Sequence, residues 1–330
     1  MTAAWIAALA APLAIAWIVI ALLRGSRLAS SLADVPNERS LHVAATPRVG
    51  GIGLMLGALP LMLCTGDSSI AILAGCAAVL ALVSFVDDRR SLPIAVRLPA
   101  HAVAAAVAIL AIGGASGAHA GLGIVEAVVA LFAITWMTNL YNFMDGSDGL
   151  AGGMAVAGFG AMALAASMAG QPALALACAA IASASVGFLA HNFPPARVFL
   201  GDAGSIPLGF LAGALGLFGA LAGAWPIAFP LIAFSPFIAD ASVTLALRAI
   251  RGEEFWRAHR THYYQRLVLA GWSPRSLALA AYALMLAASA SAIAALVTER
   301  DGQFAIIASW IVIYAVVFIA IERRVRRVAT

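Results

Sequence analysis

The chain has 330 residues, of which 63% are hydrophobic and only 10% charged, and its formal net charge is +4. Soluble domains are about a quarter charged, so the composition excludes a water-soluble globular protein and implies a polytopic membrane protein. All basic side chains are arginine, with no lysine anywhere. That excludes a P-loop lysine or a lysine Schiff base, and arginines confined to short loops give no basic face for nucleic acid.

In chain order, the apolar runs predict spans at 3–23, 49–64, 69–86, 98–116, 122–141, 150–169, 172–190, 206–223, 225–247, 277–297 and 303–321. The expected fold is an all-α integral membrane bundle of about eleven transmembrane helices, forming one membrane-embedded domain over 1–330. The first run is long for a signal core, lacks a basic segment before it and is followed by Arg24 and Arg27, so it is expected to be retained. Arginines fill the loops at 24–48, 87–97, 191–205 and 248–276 and the C-terminal tail; only Arg300 falls on the opposite side. The positive-inside rule then places the N-terminus outside and the C-terminus in the cytoplasm. Cys64, Cys76 and Cys178 show neither metal spacing nor a disulfide framework, and read as structural thiols.

The chemistry-bearing residues gather in the arginine-side loops. The stretch from Asp34 through Asn37, Arg39, His42 and Arg48 to Gly50, Gly51 and Gly53 is polar and precedes a Gly-rich helix start, a weak sign of a substrate-facing loop. Asp87 and Asp88 close the third span; adjacent carboxylates repel and need a cation, a proton or a donor nearby. Asn139, Asn142, Asp145 and Asp148 lead into a Gly-rich turn, where Asn139, Asn142 and Asp145 have helical spacing. A polar helix end followed by a turn is the plain alternative there. His191 and Asn192 precede two prolines, and Phe199, Gly201 and Asp202 follow. Hard oxygen ligands of this type suit Mg²⁺, which also bridges to substrate phosphates. His259, Arg260 and His262 sit among Arg257 and Arg266. They suit phosphate contact better than zinc, which would need a third soft ligand; a basic amphipathic helix on anionic lipid is the plain alternative. His101 and His119 offer no constellation.

Taken together, Pro36-Asn37 through Arg48-Val49-Gly50-Gly51, Asp87-Asp88, NFMDGSDGLAGG, NFPPARVFLGDAGS, Pro236 to Asp240 and HRTHYYQRL resemble one family in the right order. They are similar to the polyprenyl-phosphate N-acetylhexosamine-1-phosphate transferases, the MraY/WecA/WbpL-like membrane family, and are nearest in loop motifs to the WbpL and WecA branch. The resemblance implies a bacterial inner-membrane enzyme whose active site faces the cytoplasm. It would transfer N-acetylhexosamine 1-phosphate from a UDP-sugar to undecaprenyl phosphate, with Mg²⁺ (Mn²⁺ as substitute) and release of UMP, starting a lipid-linked glycan. The peptidoglycan-precursor branch is the alternative, and a homodimer is compatible with the family. The implied catalytic residues are Asp87, Asp88, Asp145 and Asp148, and the metal ligands Asp202 and Asp88. Arg48, Asn139, Asn142, Asn192, Phe199, His259, Arg260 and His262 would contact substrate, and Asp240 would orient the histidine loop. The absence of lysine departs from family members that use one at the nucleotide or phosphate site. Two other classes fit less well. An intramembrane aspartyl protease would need YD and GxGD, whereas Asn142 follows Tyr141 and Phe199 stands two before Gly201. A transporter would carry its ionisable groups near the midplane.

Overall fold

The computed structural model describes residues 3–36, 41, 44–115, 122–254 and 259–329. Asn37, Arg39, His42, His119 and Arg257 lie outside the described residues. In chain order the elements are α1 (Ala3–Leu23), α2 (Arg27–Ser31), β1 (Ala33–Asp34), β2 (Thr46–Pro47), α3 (Gly50–Leu63), α4 (Ser68–Arg90) and α5 (Ile94–Ala115). Then follow α6 (Ile124–Phe143), α7 (Leu150–Met168), α8 (Pro172–Asn192), α9 (Asp202–Leu221), α10 (Ala228–Ala233), α11 (Ser235–Ile250), α12 (Tyr263–Leu269), α13 (Pro274–Ala295) and α14 (Arg300–Ala329). Eight helices among the described residues are long and apolar enough to cross a membrane, and Leu9–Leu23 and Gly50–Leu63 are shorter apolar helices. The protein is thus an all-helical polytopic bundle, as composition predicts. In a bilayer a helix satisfies its own backbone donors and acceptors, so spanning segments take this form.

Three departures from the expected spans matter for the site. The run expected at 69–86 stays helical through Arg90, which puts Asp87 and Asp88 in the last helical turn instead of beyond it. Hydropathy falls at the first charge, but the intrahelical ladder does not. It ends at Ser91, whose left-handed backbone (φ 49°) is held by its N–H donating to the Asp87 carbonyl at 2.8 Å. The run expected at 206–223 begins at Asp202, so this carboxylate is a first-turn helix residue. The run expected at 225–247 is broken into α10 and α11 around Phe234. Pro236 lies in the first turn of α11, where a missing N–H and fixed φ are tolerated, and it cannot continue a ladder from α10.

The helices α7 and α9 are the innermost spans, and α14 and α5 the most peripheral. The inner pair is rich in glycine and alanine, which let backbones approach where lipid provides no hydrophobic drive. Helix α9 packs against α4 and α6, and α8 against α7, α1 and α3. This brings the C-terminal ends of α4, α6 and α8 beside the N-terminal end of α9. The short β1–β2 pair, with Asp34 opposite Thr46, folds the 33–47 segment back beside them.

Candidate active site at the arginine-side ends of the helices

Four of the aspartates singled out in the sequence interact at this end of the bundle. Asp87 accepts from the Leu92 N–H at 2.6 Å and from the Arg97 guanidinium at 2.9 Å. The same Arg97 nitrogen lies 3.9 Å from Asp202. One guanidinium therefore stands between the end of α4 and the start of α9. Asp88 accepts from the Ala203 N–H at 3.3 Å, one of the donors that the first turn of α9 leaves without an intrahelical partner. Its other oxygen is 3.6 Å from Arg48, and Arg48 also binds Asp34 at 2.7 Å. Gly201 permits this approach. Its φ is +72°, and a Cβ there would stand 3.0 Å from an Asp88 oxygen and 3.1 Å from the Arg48 Cβ.

Asp145 follows α6 in the turn to α7. Burial, together with the Asp202 and Asp88 charges, pushes its carboxyl well above the usual carboxylate range, and Arg48 only partly opposes this. Here are carboxylates short of positive charge. Among the described residues no group of three His, Cys, Asp or Glu side chains converges closely enough to enclose a metal ion. The donors are all hard oxygens, in number suited to a cation completed by phosphate oxygens and water.

The remaining sequence candidates divide between this centre and its scaffold. The Asn142 side chain accepts from the Ser205 hydroxyl at 2.7 Å, which joins α6 to the first turn of α9. Asn139 donates back to Thr135 O at 2.7 Å, within its own helix. Asn192 is buried and joins two turns, accepting from Gly149 N at 2.8 Å and donating to Val198 O at 2.9 Å. Asp148 accepts from the Ala196 N–H at 2.9 Å. The Phe199 backbone bridges Pro47 and Gly50 at 2.8 and 2.9 Å.

The histidine motif is held separately. Asp240, on α11, is buried and accepts from Tyr263 N at 2.9 Å, Tyr264 N at 3.0 Å, the Thr244 hydroxyl at 3.1 Å and His262 Nδ1 at 3.3 Å. It caps α12 from outside, and Gln265 accepts from the His262 N–H at 3.2 Å. The Tyr264 hydroxyl donates to Phe143 O at 3.0 Å. Gly146 leaves room for that hydroxyl, since a Cβ there would collide with it. The loop is thus fastened both to α11 and to the turn that carries Asp145. His262 is buried between the rings of Phe143 and Tyr264, while His259 is half-buried and Arg260 exposed. Burial, with His262 and Arg248 nearby, lowers the His259 imidazole to about 4, so it is neutral at physiological pH.

Arg97 belongs to no motif in the sequence. It reads only as a loop charge, although it stands ten positions after Asp87, across the α4–α5 connection, and returns to bind it.

Residues 70–220, which include all four of these aspartates, match the family model described as Glycosyl transferase family 4. A probable undecaprenyl-phosphate N-acetylglucosaminyl 1-phosphate transferase of Bacillus subtilis is 27% identical over 277 residues, 79% of this chain and 76% of the relative. An undecaprenyl-phosphate alpha-N-acetylglucosaminyl 1-phosphate transferase of Salmonella typhi is 30% identical over 285 residues, 78% of this chain and 75% of the relative. A phospho-N-acetylmuramoyl-pentapeptide-transferase of a Picosynechococcus strain is 43% identical, but over 111 residues and 33% of this chain. With its loop motifs in order and a relative at that identity aligned over three-quarters of its length, the chain belongs to glycosyl transferase family 4.

Proposed function

We infer that this chain is a membrane phospho-sugar transferase that moves an N-acetylhexosamine 1-phosphate from a UDP-sugar to undecaprenyl phosphate. The net reaction makes a bond from an acceptor phosphate oxygen to the β-phosphorus and breaks the bond from that phosphorus to the bridging oxygen, which leaves with UMP. The product begins a lipid-linked glycan. Relatives aligned over three-quarters of the chain carry this activity in their names, whereas the peptidoglycan-precursor transferases among the relatives align over between 33% and 58% of it. The observation that carries the reading is the meeting of Asp87, Asp88, Asp145 and Asp202 with Arg48 and Arg97 at one end of the spans. The arginine-rich loops at that end support a cytoplasmic site at a bacterial inner membrane, where UDP-sugars are available.

The donor set fits Mg²⁺ held by Asp202 and Asp88, with Mn²⁺ as substitute, since both take oxygen ligands. When bound, the cation neutralises charge on the pyrophosphate. The chain's own residues do the rest. Asp87 positions the acceptor phosphate and takes up its proton, with Leu92 N–H and Arg97 fixing its orientation. Arg48 and Arg97 offset the gathered negative charge. His259 and Arg260 hold the diphosphate, and His262 braces them from its buried place on Asp240. Asp145 and Asn142 face the nucleotide, while Asn192, Asp148 and the Phe199 backbone fix the turns around it. Catalysis is then mostly alignment and charge neutralisation.

Asp202→Asn and Asp87→Asn separate the roles. UMP release is measured against Mg²⁺ concentration and pH, with folding of each variant checked. Asp202→Asn shifts the Mg²⁺ requirement upward and is partly rescued by added metal. Asp87→Asn loses roughly a hundredfold to ten-thousandfold in rate, the usual share of a general base, and is rescued by higher pH but not by metal. Near-wild-type turnover in Asp87→Asn removes its assignment, and metal rescue of Asp87→Asn alone reverses the two.

A further inference from the structure

Away from the carboxylates, α11, α12, α13 and α14 enclose a cavity of about 380 Å³. Its walls are apolar and aromatic, with Phe237, Leu284, Met285, Tyr314 and Phe318 among them, and the small side chains of Ala281 and Ala320 leave the space open. Among the described residues, two charged side chains line it. Asp240 is already engaged by four donors. The other is Arg324, toward the arginine-rich end of α14, with its guanidinium 5.8 Å from the ring centre of Trp272.

The dimensions match one leaflet. Along α14 the lining runs from Tyr314 to Arg324, about 15 Å at 1.5 Å per residue, or half of a hydrocarbon core about 30 Å thick. A tryptophan beside an arginine is the usual signature of the membrane–water boundary, so the mouth lies at headgroup level and the aromatic end near the midplane. Arg275, Arg323, Arg326 and Arg327 add positive charge at that same end. Glu322, two residues before Arg324, is held bidentately by Arg266. The site therefore offers an apolar slot one acyl chain deep, with a cationic rim at the depth of a lipid phosphate.

We propose that this cavity binds an anionic phospholipid of the arginine-side leaflet, with one acyl chain inside and the phosphate against Arg324. The chain would lie on Tyr263 and Tyr264, which line the cavity at the start of α12. The Tyr263 ring stacks on Phe318 of α14 at 3.9 Å between centroids. Lipid occupancy thus braces the packing that holds the histidine loop in place.

The test is direct binding, independent of any reaction. The full chain is placed in phosphatidylcholine nanodiscs doped with phosphatidylglycerol or phosphatidylcholine that carries a photoactivatable group in one acyl chain, and labelled peptides are mapped. Labelling of α13 and α14 at Leu284, Met285 or Phe318 is expected, with phosphatidylglycerol favoured about fivefold, the value of one basic contact at the membrane surface. Arg324→Gln removes the preference between head groups, and Leu284→Trp, which fills the slot, removes the label; thermal unfolding confirms that both variants fold. Equal labelling by the two lipids in the unaltered chain overturns the proposal. So does label that survives in Leu284→Trp, or label displaced from the slot by polyprenyl phosphate at equimolar amounts with phosphatidylglycerol.

Discussion

Replacing Asp240 by alanine strikes the histidine loop without touching the carboxylate centre. The change orphans the backbone N–H groups of Tyr263 and Tyr264, both in buried residues, and removes the acceptor for His262 Nδ1. Each buried donor left unsatisfied costs about 1–3 kcal/mol. Two of them, partly relieved by entering water, give a local cost of about 2–4 kcal/mol. Because α12 is short and Asp240 holds only its first turn, while Tyr264–Phe143, Tyr263–Phe318 and Arg266–Glu322 hold the rest, the loss falls on local opening more than on global unfolding. Every 1.4 kcal/mol is tenfold, so amide exchange at Tyr263 and Tyr264 should accelerate roughly thirtyfold to a thousandfold. Asp240→Asn keeps one carbonyl acceptor and should fall between wild type and alanine. In the proposed enzyme both changes raise KM for the UDP-sugar, because His259 and Arg260 lose their fixed place. The assay is hydrogen–deuterium exchange mass spectrometry in nanodiscs, read beside UMP release. Unchanged exchange at these two amides in Asp240→Ala would refute the reasoning, whatever the activity did.

Three further outcomes follow from the same geometry. Arg97→Gln separates Asp87 from Asp202 and should cut turnover roughly tenfold to a hundredfold, the worth of a charge-assisted hydrogen bond needed at the transition state; wild-type kinetics would remove Arg97 from the site. His259, lowered to about 4, contributes nothing to pH dependence well above pH 6.5, where folded and unfolded forms are both neutral. As pH falls from 6.5 to 4 the unfolded chain takes up the proton first, so stability is lost across that window, and His259→Gln should flatten this part of a Tm–pH curve; superimposable curves would contradict the assignment. In a cysteine-free background, an impermeant thiol reagent outside intact cells should label Gln171→Cys and spare Ala95→Cys, and the reverse pattern would invert the proposed orientation.

The spans were readable because hydropathy and helix formation are set by the same residues, from the 69–86 run to the 277–297 run. Their ends were less readable. Hydropathy stops at Asp87, whereas the ladder runs on to Arg90 because backbone bonding does not depend on charge. The break near Phe234 lies inside a continuous apolar run and is marked only by Pro236. At the site, motif order located the carboxylates, and the structure brings Asp87, Asp88, Asp145 and Asp202 to one place. Arg97 was not legible as a partner, because its role depends on how α5 returns against α4 and α9, a tertiary fact with no local signature. Nor did the sequence separate exposed from buried histidines in HRTHYYQRL; Asp240, Phe143 and Tyr264, brought from other elements or turned inward, decide that His262 is the buried one.

The central claim is that phosphate travels with the sugar. The most direct measurement supplies the purified chain with undecaprenyl phosphate, Mg²⁺ and a panel of UDP-N-acetylhexosamines labelled at the β-phosphate, and follows label and nucleotide together. Transfer of the labelled phosphate to the lipid, with one UMP released per lipid product and no reaction after EDTA, is the predicted result. Release of UDP, with the label remaining on the nucleotide, would contradict it.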